Sequence, residues 1–185
     1  MSDLLQFLQN RNSAPKLCSP GPTDSELAGA FVAATRVPDH AWLRPWRFIC
    51  IRDERREAFG AVLEAALIKR KPDADQTARE RARGAPLRAP LLVVVIASLS
   101  DHPKVPHSEQ RLSAGCAAHT ILLAIEAQGY AGIWRTGDGA FDPYVMSKLG
   151  LSADEEITGF LYLGTREGRA KNLPQLDPQD FVSRW

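Results

Sequence analysis

Apolar and polar positions recur along this chain with spacings that separate helices from strands. Leu4, Leu5, Phe7 and Leu8 share one face of a short helix, which residues 10–15 interrupt. Thr23 and Glu26 have the spacing of a capping box. Leu27, Phe31 and Val32 carry that helix on until Pro38 stops it, so residues 36–44 form a loop. Residues 48–51 read as a strand, 54–71 as an amphipathic helix, and 73–84 as polar, helix-permissive and exposed. Residues 91–96 are apolar without a break, the pattern of a strand covered on both faces in the middle of a sheet. Residues 109–128 predict the longest helix, capped by Gly129. Its small and apolar residues cover nearly the whole circumference, so it is expected to be buried, partly by a second subunit. Residues 131–134 and 157–163 read as strands, and Asp142-Pro143 opens a helix that ends at Gly150. The tail, 165–185, has little periodicity and is expected to wrap a neighbour. Helices outnumber strands without regular alternation, which gives an α+β class.

At 185 residues the chain is read as one domain, 1–185, because that length buries roughly 70% of the unfolded surface. A net charge of +1 provides no overall field for nucleic acid or an anionic membrane, so any anion must be bound locally. Three cysteines without C-x-x-C spacing point to neither a disulfide framework nor a zinc site. The N-terminus lacks a basic stretch before a continuous apolar run, and the expected location is the cytoplasm.

The candidate chemistry lies in three short segments. Residues 36–48 and 132–137, together with Arg11-Asn12-Ser13, combine cations, hydrogen-bonding groups and flat aromatic surface, which suits a planar cofactor bearing phosphate. No G-x-G-x-x-G or P-loop accompanies them: Gly137-Asp138-Gly139 lacks the third glycine. If the chain does redox chemistry, a bound flavin is therefore a better agent than a classical nicotinamide domain. Alone, Arg11 and Ser13 equally fit a helix-terminal charge and a turn hydroxyl, and His40 fits an exposed loop residue or a cap. Ser113, Cys116 and His119 share a helix face, but their small neighbours favour a packed interface over a reactive thiolate.

Asn10-Arg11-Asn12-Ser13, Arg36-x-Pro38-Asp39-His40, Leu43-x-Pro45-Trp46-Arg47-Phe48, Ser113-Ala114-Gly115-Cys116, the 132–137 segment and Gly159-Phe160-Leu161-Tyr162-Leu163-Gly164 occur in order over about residues 4–165. That ordered set resembles the flavin-dependent nitroreductase family, in its compact branch. The resemblance implies an α+β fold with a central mixed sheet flanked by helices, an intertwined homodimer, and FMN at the subunit interface. It also implies electron transfer from NAD(P)H to nitro compounds, quinones or similar small acceptors, by a ping-pong scheme with no catalytic acid or base. By position, Arg11, Asn12 and Ser13 of one subunit would bind FMN, with Trp134, Arg135 and Thr136 lining it and Arg36 and His40 arriving from the other. Ala124, Ile125, Glu126, Ala127, Gln128 and Gly129 match a nicotinamide-binding stretch, although a buried helix end explains them equally. Two departures stand out. Arg44 replaces the Gln of Leu-Gln-Pro-Trp, and Asn12 replaces a second basic residue, a charge that Lys16 or Arg135 can supply. Flavin binding without turnover, or reduction of another acceptor class, are the alternatives.

Overall fold

The uninterrupted apolar run becomes the strand around which the rest is built. The computed structural model describes residues 3–185. In it β3 (Leu91–Ser98) has its first seven residues buried. β3 pairs with β2 (Trp46–Arg52) on one side and β5 (Glu155–Arg166) on the other. β5 in turn carries β4 (Ala131–Arg135) and the two-residue β1 (Leu17–Cys18). A mixed sheet is expected, but all four ladders among the described residues are antiparallel. Between β2 and β3 the reason is visible. The connection holds two helices, α3 (Glu54–Arg70) and α4 (Gln76–Gly84), which fold back on each other, so the chain re-enters the sheet in the opposite direction. Gly60 permits that fold-back, because a Cβ there would lie 2.2 Å from the Arg83 carbonyl oxygen.

Alternate residues of β3 serve opposite faces. Leu92, Val94 and Ile96 pack with Phe59 and Ala66 of α3, Val145 of α6 (Pro143–Lys148), and Phe160 and Tyr162. Leu91, Val93 and Val95 pack with Leu27, Ala30 and Ala34 of α2 (Asp24–Ala34), Ala117, Ile121 and Ile125 of α5 (His107–Ala127), and Leu161 and Leu163. The result is a helix–sheet–helix sandwich. Burial of each such Leu, Ile or Val side chain favours it by roughly 1.5–3 kcal/mol.

The local signals do what their chemistry requires. The Thr23 hydroxyl accepts from the Glu26 N–H, while the Thr23 N–H donates to the Glu26 carboxylate. Asp142 Oδ1 accepts from the Tyr144 and Val145 N–H groups, and Gly129 ends α5 at φ +87°. α1 (Asp3–Gln9) buries none of its residues. Within one chain α5 is covered only in part. The sheet and α2 cover one side, but Leu112 is 69% exposed and Cys116 and His119 are exposed along the other. Small apolar residues qualified both flanks for packing, and this chain supplies cover for only one. Residues 167–185 are exposed throughout, with a single 3₁₀ turn at Pro178–Phe181.

Candidate functional site

Two groups of polar residues flank the sheet. The first gathers where the N-terminal segment runs beside β4, fastened by the Ala14 N–H donating to the Gly132 carbonyl at 3.0 Å. Arg11 and Ser13 are half-buried, with Arg11 Nη1 only 3.4 Å from Ser13 Oγ. Both groups keep hydrogen-bonding capacity for a ligand. Asn12 is used differently. It is 8% exposed, its side-chain amide donates to the Lys171 carbonyl at 2.6 Å, and its backbone carbonyl accepts from the Arg166 guanidinium at 2.7 Å. This side chain therefore pins the start of the tail beside Arg11.

Arg135 leaves the end of β4 on the α3 side. Its guanidinium carbon stands 5.7 Å from the centre of the Tyr162 ring, and its Nε is buried without a hydrogen-bond partner. Burial pushes the Tyr162 phenol up, against the opposing pull of Arg135 and Arg88. Arg88, Arg135 and Lys16 line one recess of about 420 Å³, where Glu167 is the only carboxylate. Such a surplus of donors is suited to a small dianion such as a phosphate. Thr136 is exposed at the turn that follows. It borders a second recess of about 320 Å³ floored by Phe59, Leu63 and Phe160. Trp134 points to the opposite face. A Cβ on Gly159 would sit 2.1 Å from its Nε1, and its ring edge reaches Gly115 of α5. Gly159 has no side chain because the indole occupies that space.

The second group belongs to the loop after α2. Ser113 Oγ donates to the Pro38 carbonyl at 2.9 Å, and His40 Nδ1 lies 2.8 Å from Glu109 Oε2, so the loop is tied to the N-terminal half of α5. His40 lines a groove that continues over Leu112 and Cys116 along the open flank of α5. Arg36 is exposed, and its guanidinium makes no hydrogen bond or ion pair among the described residues. Within one chain, Arg36 and His40 line recesses different from those of Arg135 and Thr136.

The 124–129 segment is the end of α5. Ile125 is buried, Gln128 Nε2 donates to the carbonyls of Ala124 and Glu26, and the Gly129 N–H closes on Glu126. These groups end a helix and fasten it to α2. Arg88, Arg166 and Lys171 are the cations that sequence reasoning did not connect with the site. All lie far in sequence from Arg11: Arg166 is placed by the β1–β5 pairing and its bond to the Asn12 backbone carbonyl, Lys171 by its own carbonyl on the Asn12 amide, and Arg88 by the recess it lines with Lys16 and Arg135.

Comparison with known proteins agrees with this architecture. The family model described as "Nitroreductase family" matches residues 10–165. The Escherichia coli (strain K12) protein named "Putative NAD(P)H nitroreductase YdjA" is 43% identical over 184 residues, covering 98% of each chain. A nitroreductase-like family protein from Bacillus cereus superimposes with a TM-score of 0.85 at 15% identity, covering 100% of this chain and 97% of that one. A nitroreductase with bound FMN from Bacteroides fragilis superimposes at 0.75 with 19% identity, covering both chains fully. With the family model spanning most of its length and a relative this similar end to end, the chain belongs to the nitroreductase family.

Proposed function

We propose that this protein is an FMN-dependent oxidoreductase that passes electrons from NAD(P)H to a small acceptor such as a nitro compound or a quinone. The observation that carries the reading is the unmatched set of donors beside β4. Arg135 holds a buried Nε without a partner, and Lys16 and Arg88 face the same recess. A buried donor left unpaired costs about 1–3 kcal/mol, which a phosphate or a ring carbonyl oxygen would offset. FMN carries both kinds of oxygen, so the residues present fit it.

Arg11 and Ser13 would hold the phosphate end, with Lys16, Arg88 and Arg135 adding positive charge. Thr136 and the N–H groups of the turn at Gly137, where φ is +65°, are free to approach a ring edge. Bound FMN supplies the hydride-accepting and hydride-donating ring. The chain's own part is to hold that ring, orient it and keep one face open. Its exposed α5 flank and the loop tied to that flank support a composite site, in which Arg36 and His40 serve the cofactor of a second copy. A homodimer is part of this proposal.

For a nitro acceptor, NAD(P)H gives up a hydride, one proton comes from solvent, and the nitro group becomes nitroso with release of water. Donor and acceptor would use the same open face in turn, which gives ping-pong kinetics. The test is direct. The purified protein should be yellow, release FMN on denaturation, and oxidise NAD(P)H steadily when a nitroaromatic or quinone is added, with parallel double-reciprocal plots. Flavin release without such turnover would leave a flavin-binding protein and sink the enzymatic reading. A required ternary complex would remove the shared-face scheme.

A further inference from the structure

The loop between α2 and β2 carries more backbone strain than a connection needs. Ala41, Trp42 and Arg44 all have φ between +49° and +60°, a region that costs non-glycine residues energy, and Arg44 precedes a proline, which restricts it further. Four contacts hold the loop in that state. The Arg44 N–H donates to Asp39 Oδ2 at 2.8 Å, the Trp46 N–H donates to the Arg44 carbonyl at 2.7 Å across Pro45, and His40 and Pro38 are bound to α5. Strain of this kind persists where the surroundings over-determine it, and it concentrates at ligand clamps.

What the strained loop displays is specific. Trp42 is 80% exposed, an unusual position for a large indole, and it stands with Arg36 and Arg44 around a recess of about 520 Å³. The recess has one carboxylate, Asp39, which is turned onto the Arg44 backbone. Neither guanidinium has a partner among the described residues. An exposed flat ring beside unpaired guanidiniums presents stacking surface and anion recognition together.

We propose that this recess selects planar aromatic acceptors carrying a carboxylate, with Trp42 as the stacking face and the Arg44 guanidinium as partner of the anion. The inference rests on the flavin reading, because Arg36 belongs both to this recess and to the composite cofactor site. Aromatic acids are therefore preferred electron acceptors, and Arg44 is the residue that sets the preference.

The test uses the FMN-loaded protein with 4-nitrobenzoate and nitrobenzene as matched acceptors. In the Arg44→Gln variant KM for 4-nitrobenzoate rises roughly ten-fold, as loss of one charge-assisted contact implies, while kcat/KM for nitrobenzene stays within about two-fold. Arg44→Lys restores part of the preference, and Trp42→Ala weakens both acceptors. Raising salt erodes the preference in the parent protein but not in Arg44→Gln. Benzoate binding by calorimetry, which needs no turnover, weakens by a similar factor in Arg44→Gln. Equal effects on charged and neutral acceptors, unchanged benzoate binding, or loss of FMN from Arg44→Gln would each overturn the proposal. So would a change confined to KM for NADPH, since the recess would then serve the donor's phosphate. Failure of NAD(P)H oxidation with every acceptor, while benzoate binding still depends on Arg44, strikes the enzymatic reading instead.

Discussion

Replacing Arg135 with methionine should weaken cofactor binding while leaving the flavin-free protein as stable as before, or more so. The two effects arise from the same geometry. Without a ligand, the buried and unpartnered Nε costs about 1–3 kcal/mol, and methionine removes that cost while keeping much of the side-chain volume. The contact between the guanidinium and the Tyr162 ring, at 5.7 Å, returns about 0.5–1 kcal/mol and is lost in the variant. The difference leaves the flavin-free variant about 0–2.5 kcal/mol more stable. For a chain of this size that raises the melting midpoint by up to about 10 °C. With FMN the sign reverses. Loss of one hydrogen bond to a charged group, about 1.5–3 kcal/mol, weakens FMN binding by roughly 10- to 150-fold. Scanning calorimetry of flavin-stripped protein and titration of FMN fluorescence read the two quantities separately. A flavin-free variant less stable by more than about 1 kcal/mol would make Arg135 a structural residue, and FMN affinity within two-fold of the parent would remove it from the cofactor site.

Two further outcomes follow from the packing and the charges. Gly159→Ala places a methyl group where Trp134 Nε1 now lies, so it should cost about 1–3 kcal/mol and shift the tryptophan emission as the indole is displaced; an unchanged spectrum with unchanged stability would mean that the indole is not held there. Glu155 is 12% exposed and its carboxylate is held down to about 2 from an ordinary 4.5, first by Arg47 at 2.6 and 2.7 Å and then by the Ser152 N–H and the Ser98 hydroxyl, against the opposing effect of burial. A carboxylate depressed by folding stabilises the native state above the unfolded value, so this contribution is full above about pH 4.5 and fades as the pH falls toward 2. Arg47→Gln should therefore flatten the loss of stability between those limits in acid denaturation followed by circular dichroism, and an unchanged acid profile would argue against the pair.

The parts of this fold written most legibly in the sequence are those in which local chemistry and tertiary role coincide. Residues 91–96 carry no polar residue because both faces of β3 are covered, and the Thr23–Glu26 box, Asp142-Pro143 and Gly129 satisfy helix ends locally. β1 left no signal, since two residues paired with Thr165 and Arg166 gain their strand geometry from a partner some 150 positions away. The cover of α5 was legible only in part for a related reason: alanine, glycine and cysteine permit close packing but do not specify which surface does the covering. At the candidate site, residue type and order singled out Arg11, Ser13, Arg135 and Thr136 as candidates. The fastening role of Asn12 on Lys171, and the recess that Arg88 shares with Arg135, depend on contacts that only the folded chain makes.

The central claim is that one cofactor is held by residues from two copies of the chain, and mixed variants test it most directly. Arg11→Ala and His40→Ala chains, each prepared alone, should bind FMN poorly, because every site in either homodimer lacks one contributor. Unfolded together and refolded, they should form heterodimers in which one site has both residues intact, and FMN binding with NAD(P)H-dependent turnover should reappear. Mixtures that bind no more FMN than the separate variants, although the chains demonstrably exchange, would contradict the composite site.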